Sequence, residues 1–107
     1  MVVFSKYLFH SNFNAIAIWP FIILKSKNLK DNDVLIYHEK IHLQQQKEML
    51  WLFFFIWYLI EFLLKLIKFK NPMMAYRNLS FEREAYANEH DKSYLKKRNF
   101  WNFIKYL

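Results

Sequence analysis

The stretch Tyr37–Gln46, YHEKIHLQQQ, sets His38 and His42 four residues apart, with Glu39 directly after the first histidine. On a helix four residues turn the chain by about 400°, so both imidazoles share one face, a turn apart. Two neutral imidazoles converging in this way can ligate one Zn²⁺. A carboxylate next to the first of them lies beside the ion without binding it. There it can take a proton from a metal-activated water and pass it to a leaving amine. The competing reading is a solvated helix with two unrelated histidines. At this chain's own His and Glu frequencies, an accidental HExxH arises in about one such sequence in a hundred.

A hydrolytic zinc site keeps three protein ligands, so a third is required. The chain has no cysteine and no glycine. Their absence excludes thiolate zinc ribbons, iron–sulfur clusters, thiol catalysis and glycine-rich phosphate loops. It also excludes the pattern in which a glycine and a third histidine follow on the same segment, because Glu48 stands six residues past His42. A glutamate from a later helix is the remaining solution. The segment NLSFEREAYAN offers Glu82 and Glu84, about forty residues on, with Glu89 a similar candidate further along. Tyr86 and Tyr76 can donate a hydrogen bond to a developing oxyanion, although packing is the commoner fate of a tyrosine. His10 and His90 read as surface residues. The run Gln44–Gln46 extends the histidine helix with no chemistry assigned to it.

HExxH followed by FEREAYAN resembles the gluzincin clan of metallopeptidases. The likeness is strongest to the CAAX-prenyl-protease and HtpX-like families, whose glutamate helix reads like FExxADxxA, and to their minimal relatives, the minigluzincins. It also resembles short Bacteroidetes proteins that carry HEKIH and FEREAYAN together. The resemblance implies a peptide- or protein-hydrolysing enzyme with Zn²⁺ on His38, His42 and Glu82, and with Glu39 as the catalytic base. It aligns Phe81 and Ala85 with the family pattern and sets Tyr86 where an aspartate is expected. That aspartate usually steadies a ligand histidine. The alternative is a catalytically inactive, membrane-associated scaffold that still binds zinc.

The elements that must position these residues can be read along the chain. With 107 residues, 55% of them hydrophobic, it fits a single domain over 1–107. Segments 2–9 and 13–25 are rich in Val, Ile and Phe and flank a polar HSN, which predicts a β-hairpin or two short strands. Pro20 should make the second an edge strand or bend it. An extended peptide could add to that edge around Ala15–Leu24. Asp31, Asn32 or Asp33 can cap a helix from Val34 to about Met49. A second, apolar helix runs over 49–70, with Glu61, Lys65 and Lys68 forming a polar stripe, and KNP ends it. Ser80 can cap a third helix whose acidic residues come early and basic residues late. The aromatic tail NFWNFIKYL should pack back on the domain. The fold class expected is α+β, a small N-terminal sheet followed by three helices.

The net charge is +7, with sixteen basic and nine acidic residues. Such a surface attracts anions. Only three of the basic residues are arginines, which weighs against nucleic acid as partner. The apolar run 49–67 makes a membrane surface or a membrane protein the candidate contact, with Trp51, Trp57 and Tyr58 as interfacial anchors. Its sixteen-residue stretch 49–64, with one charge, is short for a full crossing. The first residues show no small-residue cleavage site, so the expected location is cytoplasmic or inner-membrane-associated.

Overall fold

The computed structural model describes residues 2–5 and 14–107. It is an α+β domain, with a three-stranded sheet from the N-terminal region followed by helices. The strands are β1 (Val2–Phe4), β2 (Ala15–Ile18) and β3 (Phe21–Leu24). β3 is central; it pairs parallel with β1 and antiparallel with β2. The hairpin therefore lies within the second apolar run, which folds at Trp19–Pro20, where the sequence called for a bend. The HSN segment and His10 lie outside the described residues.

A short 3₁₀ turn leads to α1 (Asp33–Glu48), capped by Asn32, whose side chain accepts from the Leu35 N–H. Helix α2 (Leu52–Phe69) follows a break at Leu50 and Trp51, both with positive φ (53° and 50°). With no glycine in the chain, bulky residues must take these left-handed conformations. α1 and α2 meet at 111°. The segment after KNP contains α3 (Pro72–Arg77), capped by Asn71. The predicted third helix is α4 (Ser80–Asn88); after a turn the chain forms α5 (Tyr94–Lys97). The basic residues expected at the end of one long helix therefore lie beyond the end of α4.

Two clusters hold the helices. Met49, Phe54, Phe81 and Phe103 form one, which seats the aromatic tail as expected. Ile41, Ala85 and Tyr94 form the other, between α1 and α4. A buried polar crosslink joins the same two helices. Arg98, its side chain 1% exposed, binds Glu48 of α1 (Nη1 to Oε2, 2.6 Å). It also engages Glu84 of α4 through Nε and Nη2. Burial sets the His-bearing and Glu-bearing helices against each other, and Arg98 ties them together.

Helix α4 is not capped by Ser80, which is already its first residue. Glu61 of α2 does this instead, accepting from the Ser80 N–H at 2.5 Å and from its hydroxyl at 2.7 Å. A carboxylate at a helix N-terminus satisfies orphan donors and complements the dipole. Glu61 also accepts from Trp57 Nε1–H at 3.1 Å. It is thus turned into the protein, rather than along a solvated stripe toward Lys65. Among the described residues no single helix is long and apolar enough to cross a membrane.

Candidate metal centre

Because α1 runs unbroken through the motif, His38 and His42 project from one face, buried against α4. α4 brings Glu82 to meet them. His38 Nε2 lies 3.2 Å from Glu82 Oε1, His42 Nε2 lies 3.1 Å from it, and the two nitrogens are 3.2 Å apart. Tetrahedral zinc with bonds of about 2.0–2.1 Å spaces its ligand atoms about 3.3 Å apart. The triangle is close to that size.

Proton bookkeeping sharpens the point. His38 Nδ1 faces Glu89 Oε2 at 2.7 Å and His42 Nδ1 faces Gln45 Oε1 at 2.7 Å. The orientation of the Gln45 amide is set by its other end, where Nε2 donates to Phe81 O and to Glu84 Oε1. Both Nδ1 atoms therefore carry hydrogen, so each neutral imidazole turns a lone pair toward the triangle. Three buried acceptors that converge require a cation among them. A proton on His42 meets that demand: burial disfavours the imidazolium, but the Glu82 carboxylate outweighs it and holds the pKa up at about 10. Burial likewise opposes ionisation of Glu82, yet His42 and His38 bring its carboxyl down to about 2.

Glu39 sits beside this triangle. Its carboxylate is 3.9 Å from His38 Nε2, and the ligand atoms of His38, Glu39 and His42 lie within 4.8 Å of one another. Burial raises the Glu39 carboxyl above its ordinary range, against the lowering influence of both histidines. That moves it toward what a base at neutral pH needs. Of the two carboxylates, Glu82 is the one in contact with both imidazoles.

The other candidates separate clearly. Glu84, the alternative ligand, is turned away; it accepts from Arg98, from Tyr94 Oη–H at 2.6 Å and from Gln45. The side chain of His90 is 77% exposed, as expected of a surface residue. The Tyr86 ring packs edge-on against His38 with centroids 4.5 Å apart, and the Arg77 guanidinium lies 4.0 Å over the same tyrosine ring. Burial and then the Glu82 charge raise the Tyr86 hydroxyl, and Tyr76 hydrogen-bonds to it. The same two causes push Tyr58 and Tyr76 far up, so both stay protonated.

Three residues here carry roles that the sequence reading did not assign. Glu89 holds His38, the task expected of an aspartate at position 86. It lies seven residues past Glu82, on the same helical face, a spacing that could have revealed it. Gln45 holds His42 from three residues away, so the glutamine run is not inert. Gln46 meets the edge strand. Its Nε2 donates to Ala17 O at 2.8 Å, and its Oε1 accepts from Trp19 N–H at 2.6 Å. Those are the two groups that one residue of a neighbouring strand would bond. β2 does lie beside the histidine helix as an edge, but peptide addition near Ala17–Trp19 must displace Gln46.

Comparisons with protein-family models, with curated proteins and with solved structures find no match.

Proposed function

We propose that this chain is a zinc-dependent peptide hydrolase of gluzincin type, in which His38, His42 and Glu82 hold the metal. The observation that carries this is the buried triangle of two Nε2 atoms and one carboxylate oxygen, with sides of 3.1 to 3.2 Å. Zn²⁺ fits the donor set: two imidazoles fixed by hydrogen bonds at Nδ1, and one carboxylate. Bound there, it supplies Lewis acidity toward the oxygens of water and of a peptide carbonyl.

The chain's own residues do the rest. Glu39 accepts a proton from the attacking water and delivers it to the departing amine; its raised affinity for protons suits both halves of that task. Glu89 and Gln45 keep the imidazoles in the tautomer that leaves Nε2 free. Tyr86, beside His38, would donate its hydroxyl hydrogen to the carbonyl oxygen as negative charge develops there. The substrate is an extended peptide or protein segment lying along β2 toward Ala15, where Gln46 does not occupy the edge.

Metal content of the purified protein, with and without His38→Ala, tests the site. About one zinc per chain is expected in the wild type and none in the variant; a wild type unable to take up zinc overturns the reading. With zinc loaded, Glu39→Gln should retain the metal and lose cleavage of denatured protein by at least about a hundredfold. Cleavage equal in both proteins refutes the assignment of Glu39. A zinc-loaded wild type that cleaves nothing leaves the alternative of a zinc-binding scaffold.

A further inference from the structure

We propose that α2 lies in the plane of an anionic bilayer surface, with its outer face among the acyl chains. This rests on the helix and the charge distribution alone and is independent of the zinc site. α2 is amphipathic in the inverted sense. Its one acidic residue, Glu61, is 6% exposed and bonded inside the protein. Its outer face carries Leu52, Ile56, Leu59, Ile60, Leu63 and Ile67, each between 47% and 74% exposed. At 3.6 residues per turn these fall on one stripe about 22 Å long, uninterrupted by any charge. A water-facing helix places its polar residues the other way round; an apolar face this size marks a contact surface.

Charge identifies the occupant. The carboxylates are drawn inward: Glu39, Glu48, Glu82 and Glu84 have side chains at most 8% exposed, and that of Glu89 is 17% exposed. Among the described residues only Asp31 and Asp33 of the acidic residues are exposed, against twelve of the fifteen basic ones. The outer surface is therefore more cationic than the net +7 implies. Lys68 and Lys70 stand exposed at one end of the stripe, and Trp51, 46% exposed, stands at the other. An apolar stripe bounded by lysines and a tryptophan matches acyl chains beneath anionic headgroups. A second copy of this chain would bring the same cationic rim against itself. α2 alone is not long and apolar enough for a crossing, and its one-sided apolar stripe suits a helix lying in the interface.

Flotation with lipid vesicles, without detergent, tests this. The wild type should float with phosphatidylcholine vesicles containing about 25% phosphatidylglycerol. Binding should fall at least about tenfold on phosphatidylcholine alone or in roughly 1 M salt. The double variant Leu59→Ser/Leu63→Ser should lose at least about tenfold on the anionic vesicles while keeping its helical circular dichroism. If that variant fails to fold, Ile67→Ser, at the most exposed stripe position (74%), should still bind more weakly than wild type. A wild type that stays in the aqueous fraction overturns the proposal. So does serine-variant binding equal to wild type, which would mean charge alone. A soluble dimer that the serine changes dissociate, without vesicle binding, also overturns it, since a second copy would then cover the stripe.

Discussion

Replacing Glu89 should weaken zinc binding by about ten- to a hundredfold while leaving the fold in place. The magnitude follows from the contact. Glu89 Oε2 lies 2.7 Å from His38 Nδ1, with side chains 17% and 5% exposed, so little water competes for either group. A hydrogen bond to a charged group in such surroundings contributes about 1.5–3 kcal/mol. At about 1.4 kcal/mol per decade, that is about ten- to a hundredfold in affinity. Glu89→Gln keeps an acceptor and loses the charge, so it belongs near tenfold. Glu89→Ala loses both and belongs near a hundredfold. His90→Ala is the control: His90 Nε2 lies 3.7 Å from the other carboxylate oxygen, on an exposed side chain, and its removal should leave zinc affinity unchanged. Competition against a chromophoric chelator reads all four proteins on one scale. If Glu89→Ala and wild type agree within about twofold, Glu89 does not orient a ligand, and the site lacks the support that the missing aspartate would have supplied.

Gln45→Leu removes the acceptor for His42 and takes one buried donor from the Phe81 carbonyl and one from Glu84, which keeps Tyr94 and Arg98. Zinc affinity should fall about tenfold by the same titration, and urea unfolding should show a loss of about 1–3 kcal/mol. Arg98→Met breaks the crosslink between Glu48 and Glu84 and leaves both carboxylates buried, so it should cost about 3–5 kcal/mol by urea midpoint; a loss below about 1 kcal/mol would show that the pair does not hold α1 to α4. Leu50→Gly should stabilise, because Leu50 holds φ at 53° while its side chain is 72% exposed. Relief of about 1 kcal/mol should raise the melting temperature by roughly 4 °C or more.

What was legible in the sequence was mostly local. The histidine spacing, the cap before Val34 and the bend at Pro20 each depend on a few neighbouring residues, and each is found in the structure. The strand order was not, because nothing in residues 2–4 says that they pair with the second half of the later apolar run. Periodicity placed Glu61, Lys65 and Lys68 on one face of α2 but not which medium that face meets. Its surroundings depend on Ser80, nineteen residues away, so the apparent solvent face is the protein face. Glu89 reads in the sequence as a spare ligand, and its role as the support of His38 is hidden for a related reason. The motif pattern sets the support at position 86, whereas the residue that reaches His38 is one turn further on, at the C-terminal cap of α4.

The buried carboxylates also bear on why a dication suits this interior. Among the described residues, Glu39, Glu48, Glu61, Glu82 and Glu84 are nearly withdrawn from water, and Glu89 largely so. A buried carboxylate is tolerated only when a cation or several donors compensate it. Glu61 has the Ser80 and Trp57 donors, and Glu48 and Glu84 share Arg98. That leaves Glu39, Glu82 and Glu89 around two imidazoles. A single proton on His42 compensates chiefly Glu82, and burial keeps the Glu39 carboxyl raised against the lowering influence of both histidines. A divalent ion among the two Nε2 atoms and Glu82 would add twice the charge at the same point, and would draw the Glu39 carboxyl back toward ionisation. In the proposed reaction Glu39 would thus be ionised, and able to accept a proton, once a divalent ion is bound beside it.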